Sequence, residues 1–218
     1  MTQVATRAVR FLASGPDALV LEGELWLPSA VKPVAGVVVA HPHPQRGGSM
    51  DNNVVTALCV GLNRAGIAAL RFNFRGVGGS QGTSSGGMQE IADVLGALAF
   101  LAEQPEIRTD RIGLAGYSFG ARVSLAALPQ APGVRALLTV AAPLREPLPL
   151  VEHPSCPFFA LVGDRDGLVA QGVEHYAAYL PNPQQLRVVP GADHFWWGFE
   201  NVIIDSTQAF FAQHLAQA

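Results

Sequence analysis

The chain predicts an α/β fold: one mainly parallel sheet of about seven or eight strands, with helices on both faces. Three observations carry this. Near-continuous apolar runs of strand length alternate with segments of helical period along most of the chain. The chemically unusual residues fall just after those apolar runs, where open α/β sheets bind ligands. With 218 residues, 49% hydrophobic and 14% charged, the chain is long enough to bury a sheet on both sides and short for two domains, so residues 1–218 read as a single domain.

The first 28 residues read as two antiparallel strands around the Gly15-Pro16-Asp17 turn, the second being LVLEGELWLP with partial alternation of outward and inward residues. AGVVVAHP (35–42) is a buried strand, followed by a helix opening at Asp51 or Asn52 and closing near Gly66. IAALRFNF (67–74) is the next strand, and a long helix runs from about Met88 to Glu103. RIGLAGYS supplies another strand, with a helix beginning after Ser118. RALLTVAAP (135–143) and FFALVGD (158–164) follow as strands, then a helix around Val169 to Leu180, the strand QLRVVPG (185–191) and a last helix from about Glu200 to Leu215. There is no internal repeat, low-complexity tract or linker.

Net charge is −3 and basic runs are absent, which argues against a nucleic-acid surface and an anionic membrane anchor. The N-terminal stretch breaks at Gly15-Pro16 and lacks the unbroken apolar core of a signal peptide, and the apolar segments are strand-length, so a cytoplasmic location is expected. Cys59 and Cys156 sit in apolar surroundings without C-x-x-C spacing and read as reduced thiols.

Gly116, Tyr117, Ser118, Phe119 and Gly120 fit G-x-S-x-G, with the apolar Arg111–Gly116 before and the helical Ala121–Leu128 after. A serine in a sharp strand-to-helix turn leaves little room for neighbouring side chains; small residues at 116 and 120 let the backbone close while the hydroxyl is held outward. A serine hydroxyl is a weak nucleophile at neutral pH and needs a base, with a carboxylate to orient that base. The order Ser, Asp, His is met downstream by Asp164 or Asp166 and by His194, in the loop PGADHFWWG. Of the other histidines, His175 and His214 fall within helices and His153 in a proline-rich connection. Asp193 adjoins His194 and suits a turn-stabilising role. The residue after the nucleophile contributes a backbone N–H to the developing oxyanion, which designates Phe119.

The segments HPHPQRGGSMDNNVV, RFNFRGVGGSQG, DRIGLAGYSFGA, LVGDRDGLV and GADHFWWG together resemble the serine α/β-hydrolases over nearly the whole chain, in particular the small bacterial members without a lid. The resemblance implies the α/β-hydrolase fold and carboxylesterase-like chemistry. It maps the acid motif G-x-x-D-x-x-V onto Gly163, Asp166 and Val169, making Asp166 the acid and Asp164 the runner-up. It also implies a second oxyanion donor in the loop after the third strand, at His43; Pro42 and Pro44 lack an N–H, which independently narrows the local choice to His43 or Gln45. Pro42 departs from the commoner His-Gly opening of that loop. The expected reaction is cleavage of a small ester or thioester through an acyl-Ser118 intermediate; an acyltransferase or peptidase uses the same triad, and a silent binding scaffold is the competing class. Relatives with Asp or Cys at the elbow carry out other chemistries and match less well.

Met50, Trp196 and Trp197, with Phe119 and Phe199, are candidate walls of an acyl pocket. His41-x-His43 has metal-ligand spacing but no third ligand in the motif, so neither metal nor cofactor is expected and chelators should have no effect. RGVGGSQG fails the dinucleotide pattern because Gln81 stands where a third glycine is needed. Arg75 reads as a structural turn residue by the same resemblance. Between the strand ending near Ala142 and the next lies only Pro143–Cys156, broken by Pro147, Pro149 and Pro154, so no cap domain is expected and short acyl groups should be preferred. The partner is a small molecule rather than nucleic acid or membrane, and the protein acts as a monomer or homodimer.

Overall fold

A computed structural model describes residues 4–30, 33–143, 154–169 and 185–215. Among the described residues eight strands form one sheet in the order β1-β2-β4-β3-β5-β6-β7-β8. They are β1 (Ala5–Leu12), β2 (Val20–Leu27), β3 (Val34–Ala40), β4 (Ala68–Phe72), β5 (Ile107–Tyr117), β6 (Val134–Val140), β7 (Phe158–Gly163) and β8 (Leu186–Val189). The β1–β2 hairpin pairs Ala5 with Leu27 and Leu12 with Val20, and β2 pairs antiparallel to β4; every other pairing is parallel. The hairpin reverses through Gly15 at φ +100°, a left-handed backbone that glycine adopts without a Cβ clash.

Side-chain chemistry follows position in the sheet. β2, near one edge, alternates half-buried and buried residues, whereas all seven residues of β3, at the centre, are buried. Such a strand must be covered on both faces. Among the described residues four α-helices do the covering: α1 (Asn53–Arg64), α2 (Glu90–Ala102), α3 (Phe119–Ala127) and α4 (Glu200–Leu215). A Cβ on Gly36 would meet Leu101 of α2, while Val37, one residue on, shares its side with Phe211 and Leu215 of α4. Consecutive strand residues point to opposite faces, so α2 and α4 lie on opposite sides of the sheet. α1 packs closely on α4 because Gly61 has no side chain: a Cβ there would meet Thr207 at 2.7 Å. α2 packs on α3.

The expected elements are present with small shifts at their ends. Asn52 caps α1, its Oδ1 accepting from Val54 N–H at 2.9 Å, so the helix begins at Asn53. α2 starts at Glu90 rather than near Met88, because the Glu90 carboxylate draws the preceding loop onto itself through Ser84 Oγ, both Ser85 donors and Gly87 N–H. The helix expected around 169–180 lies, beyond Val169, outside the described residues, as does most of the Pro143–Cys156 connection. Among the described residues no helix is long and apolar enough to cross a membrane.

Candidate active site

β5 ends at Tyr117 and α3 begins at Phe119, leaving Ser118 alone to reverse the chain at φ +52° and ψ −116°. A non-glycine residue rarely holds this backbone, and it persists only where its surroundings over-determine it. Ser118 N–H donates to Val140 O at 2.8 Å, tying the turn to β6. A Cβ on Gly116 would lie 2.7 Å from Ala121 N, and one on Gly120 would overlap the carbonyl oxygens of Ala40 and His41. The two glycines therefore allow close backbone approach within the turn and against β3.

Ser118 Oγ lies 3.0 Å from His194 Nε2, and His194 Nδ1 lies 2.8 Å from Asp166 Oδ2. The carboxylate can only accept at Nδ1, which puts the neutral ring's proton there and leaves Nε2 to accept from the serine hydroxyl. Asp166 is fully buried after β7; its other oxygen accepts from Leu168 and Val169 N–H at 3.0 and 3.1 Å. Asp164, the runner-up, is exposed and accepts from Gly191 N–H at 2.7 Å, bracing the turn before the histidine loop. Asp193 accepts from Phe195 and Trp196 N–H, a turn-stabilising role. Tyr117 OH donates to His194 O at 2.6 Å, holding that loop over the elbow, and burial pushes the phenol pKa well up.

Phe119 is the first residue of α3, so its N–H has no acceptor within the helix. In the loop after β3, Gln45 N–H donates to His43 Nδ1 at 3.2 Å. That engages one of the two N–H groups the sequence left open. The His43 ring packs against Phe119 with centroids 4.9 Å apart. Burial lowers the His43 pKa, and Arg46 and Arg122 lower it further, so the ring is neutral near pH 7 with its proton on Nε2.

His41 sits at the end of β3, wholly buried. Its Nδ1–H donates to Pro42 O at 2.6 Å and its Nε2 accepts from Phe74 N–H at 3.0 Å. Both ring nitrogens thus face backbone, and burial drops the pKa to about 4. Arg75 is likewise internal: its side chain forms a salt bridge to Asp93 at 2.7 Å and reaches Gln89 Oε1 at 3.0 Å. Cys59 and Cys156 are unbridged, and burial raises their thiols to about 12 and about 11.

A cleft of about 660 Å³ opens at Ser118 and His194. Three candidate wall residues fall elsewhere. Trp196 is fully buried in the core, Trp197 is 71% exposed, and Met50 lines a separate surface hollow with Arg71 and Glu24. The physical cause is the Asp193 turn: by binding Phe195 and Trp196 N–H it swings Trp196 inward at φ +61° and leaves Phe195 at the cleft. The walls are instead Tyr117, Phe119, Pro143, Leu168 and Phe195, with Arg46 and Arg122 among the polar lining. Arg122 was legible in principle, standing one helical turn after Ser118 as the one charged residue of that helix.

Comparison with known proteins places the chain among the α/β serine hydrolases. Residues 17–147 match the family described as X-Pro dipeptidyl-peptidase (S15 family). An uncharacterised protein of Rickettsia prowazekii is 34% identical, over 73% of this chain and 71% of that one. An α/β serine hydrolase homologue from Coxiella burnetii superposes with a TM-score of 0.81 at 32% identity, covering 92% of this chain and 96% of that one. A lid-less α/β serine hydrolase from Xanthomonas campestris gives 0.83 at 32% identity, covering 98% and 96%. With the eight-stranded sheet and the matched segment spanning the elbow, the chain belongs to the X-Pro dipeptidyl-peptidase (S15) family of α/β serine hydrolases.

Proposed function

We propose that the protein hydrolyses small esters or thioesters through an acyl-Ser118 intermediate, with His194 as general base and acid and Asp166 as the orienting carboxylate. The observation that carries this is the continuous hydrogen-bonded chain from Ser118 Oγ through His194 to Asp166, at 3.0 and 2.8 Å. His194 Nε2 takes the hydroxyl proton as Oγ attacks the acyl carbon, and the Phe119 and His43 N–H groups receive the oxyanion. The protonated ring then gives its proton to the leaving alcohol or thiol. A water molecule, deprotonated by the same nitrogen, releases the acid and restores the serine. Asp166 stays ionised throughout, stabilising the imidazolium.

The family description names a dipeptidyl-peptidase, which must recognise a free peptide ammonium. Among the described residues lining the cleft there is no Asp or Glu to receive one, and the charged lining is Arg46 and Arg122. This supports the ester reading over the peptidase one. The two unbridged cysteines fit a reducing compartment, and we assign the protein to the cytoplasm.

A fluorophosphonate should label Ser118, and a panel of p-nitrophenyl esters and acyl-thioesters should be cleaved. Ser118→Ala removes one hydroxyl without opening a core cavity, so it should keep the fold and lose about three or more orders of magnitude in kcat. Unchanged turnover by the purified variant would refute the mechanism, and absence of both labelling and turnover would favour the silent scaffold.

A further inference from the structure

His194 stands in a loop between the end of β8 at Val189 and the start of α4 at Glu200, where neither strand nor helix fixes the main chain. Side chains fix it instead. The peptide group joining His194 to Phe195 is held at both of its polar atoms: Tyr117 OH donates to His194 O at 2.6 Å, and Phe195 N–H donates to Asp193 Oδ1 at 2.9 Å. The next peptide group is held in the same way, with Asn53 Nδ2 donating to Phe195 O at 3.1 Å and Trp196 N–H donating to Asp193 Oδ1 at 3.2 Å. Asp193 belongs to the loop and moves with it, so Tyr117 and Asn53 are the anchors that tie these two groups to the rest of the fold. Tyr117 is the last residue of β5, pairs with Val140 of β6 and directly precedes Ser118. One hydrogen bond therefore links the strand end that bears the nucleophile to the residue that bears the base. Burial pushes the Tyr117 phenol pKa well up, which keeps the hydroxyl a donor. Asn53 opens α1, and the same amide donates to the carboxylate of Glu200, the first residue of α4, at 3.3 Å. Trp196, at φ +61°, holds a backbone that a bulky side chain rarely adopts, so the loop keeps its path against local preference.

We propose that Tyr117 and Asn53 are positioning residues that together clamp the main chain after His194 and so hold its Nε2 within reach of Ser118 Oγ. The inference rests on the hydrolase reading above and adds how the base is kept in place. Neither the Tyr117 hydroxyl nor the Asn53 amide exchanges a proton with substrate; each acts through a carbonyl next to the imidazole. The leverage is large because misplacing a reacting group by about 1 Å can lower a rate on the order of a hundredfold.

Tyr117→Phe removes the hydroxyl and keeps the ring that walls the cleft; Asn53→Ala removes the donor at a helical position that alanine favours. With p-nitrophenyl acetate each variant should lower kcat about tenfold or more while KM stays within about twofold of wild type, since the substrate's contacts are untouched. The double variant should lose less than the product of the single losses, because a loop freed by one substitution gains little from the remaining anchor. Proton NMR supplies a readout that a merely structural role would not move: the His194 Nδ1–H resonance, identified by its loss in Asp166→Asn, should broaden or shift in both single variants while each keeps a cooperative urea transition. Tyr117→Phe opens no cavity, so its result stands even if Asn53→Ala folds poorly. Wild-type kcat in either folded variant, losses that multiply in the double variant, or a lowered kcat with an unaltered Nδ1–H resonance overturns this inference and leaves the hydrolase reading standing. If wild-type protein neither cleaves ester nor takes the fluorophosphonate, the hydrolase reading fails and the resonance decides the clamp alone. A signal altered in both variants supports it, and one unchanged in either overturns it.

Discussion

Acid should loosen this protein through His41 before its carboxylates are titrated. The ring is fully buried and held neutral between Pro42 O and Phe74 N–H, with its pKa lowered from 6.5 to about 4 by burial. A histidine whose folded pKa lies below its unfolded one favours the folded state fully above the unfolded value, and that contribution is lost as pH falls through 6.5 toward 4. Between pH 7 and pH 4.5 the linkage amounts to about 2 to 3 kcal/mol, since each unit of difference is worth about 1.4 kcal/mol. His43 and His214 have pKa values lowered in the same direction, so the bare pH dependence does not isolate His41. Comparison with His41→Gln does. Urea unfolding at several pH values from 7 to 4.5 should give wild-type and variant stabilities that converge as pH falls, the variant losing less by about 2 to 3 kcal/mol. Parallel curves across that range would refute the reasoning, because a neutral buried imidazole must register its own protonation.

Three further outcomes follow from the geometry. Asp166→Asn should cost about three to four orders of magnitude in kcat, because the amide can hold the wrong imidazole tautomer, while Asp164→Asn keeps an oxygen for Gly191 N–H and should cost less than about tenfold; steady-state ester kinetics showing the reverse ranking would move the acid to Asp164. Gly120→Ala sets a Cβ against the carbonyls of Ala40 and His41, backbone groups that cannot rotate away, and should lower stability by about 3 kcal/mol or more; a denaturation midpoint equal to wild type would disprove that close approach. Asp93→Ala strands the buried Arg75 guanidinium and should cost about 3 to 5 kcal/mol, much of it recovered when Arg75→Met is added; equal damage in the single and double variants would show that the charge is not the cause.

The relation between sequence and structure differs from residue to residue. β3 announced itself, because seven consecutive apolar positions have few places to go but the centre of a sheet covered on both sides. The elbow was legible for a local reason: Gly116, Ser118 and Gly120 meet a steric requirement that operates within five residues, and the flanking strand and helix are periodic. Asp193 was likewise readable as a turn residue, since its carboxylate bonds N–H groups two and three positions on. That the Gln45 N–H is engaged by the His43 ring was not. It depends on the φ and ψ that put Gln45 N–H beside His43 Nδ1, a conformation that proline on either side of His43 restricts without specifying.

By itself, then, the sequence determined the α/β class, the order of its strands and helices along the chain, and which residue types stand at the strand ends, because hydrophobic period and turn chemistry are local properties. Strand order within the sheet, the 3.0 and 2.8 Å contacts joining Ser118, His194 and Asp166, and the walls of the cleft were decided only by tertiary structure. Trp196 makes the difference plain. Large, apolar and two residues past His194, it suits a pocket wall or a core position equally well on composition. Only the turn held by Asp193, and the room beneath it, sends Trp196 inward and leaves Phe195 facing the cleft.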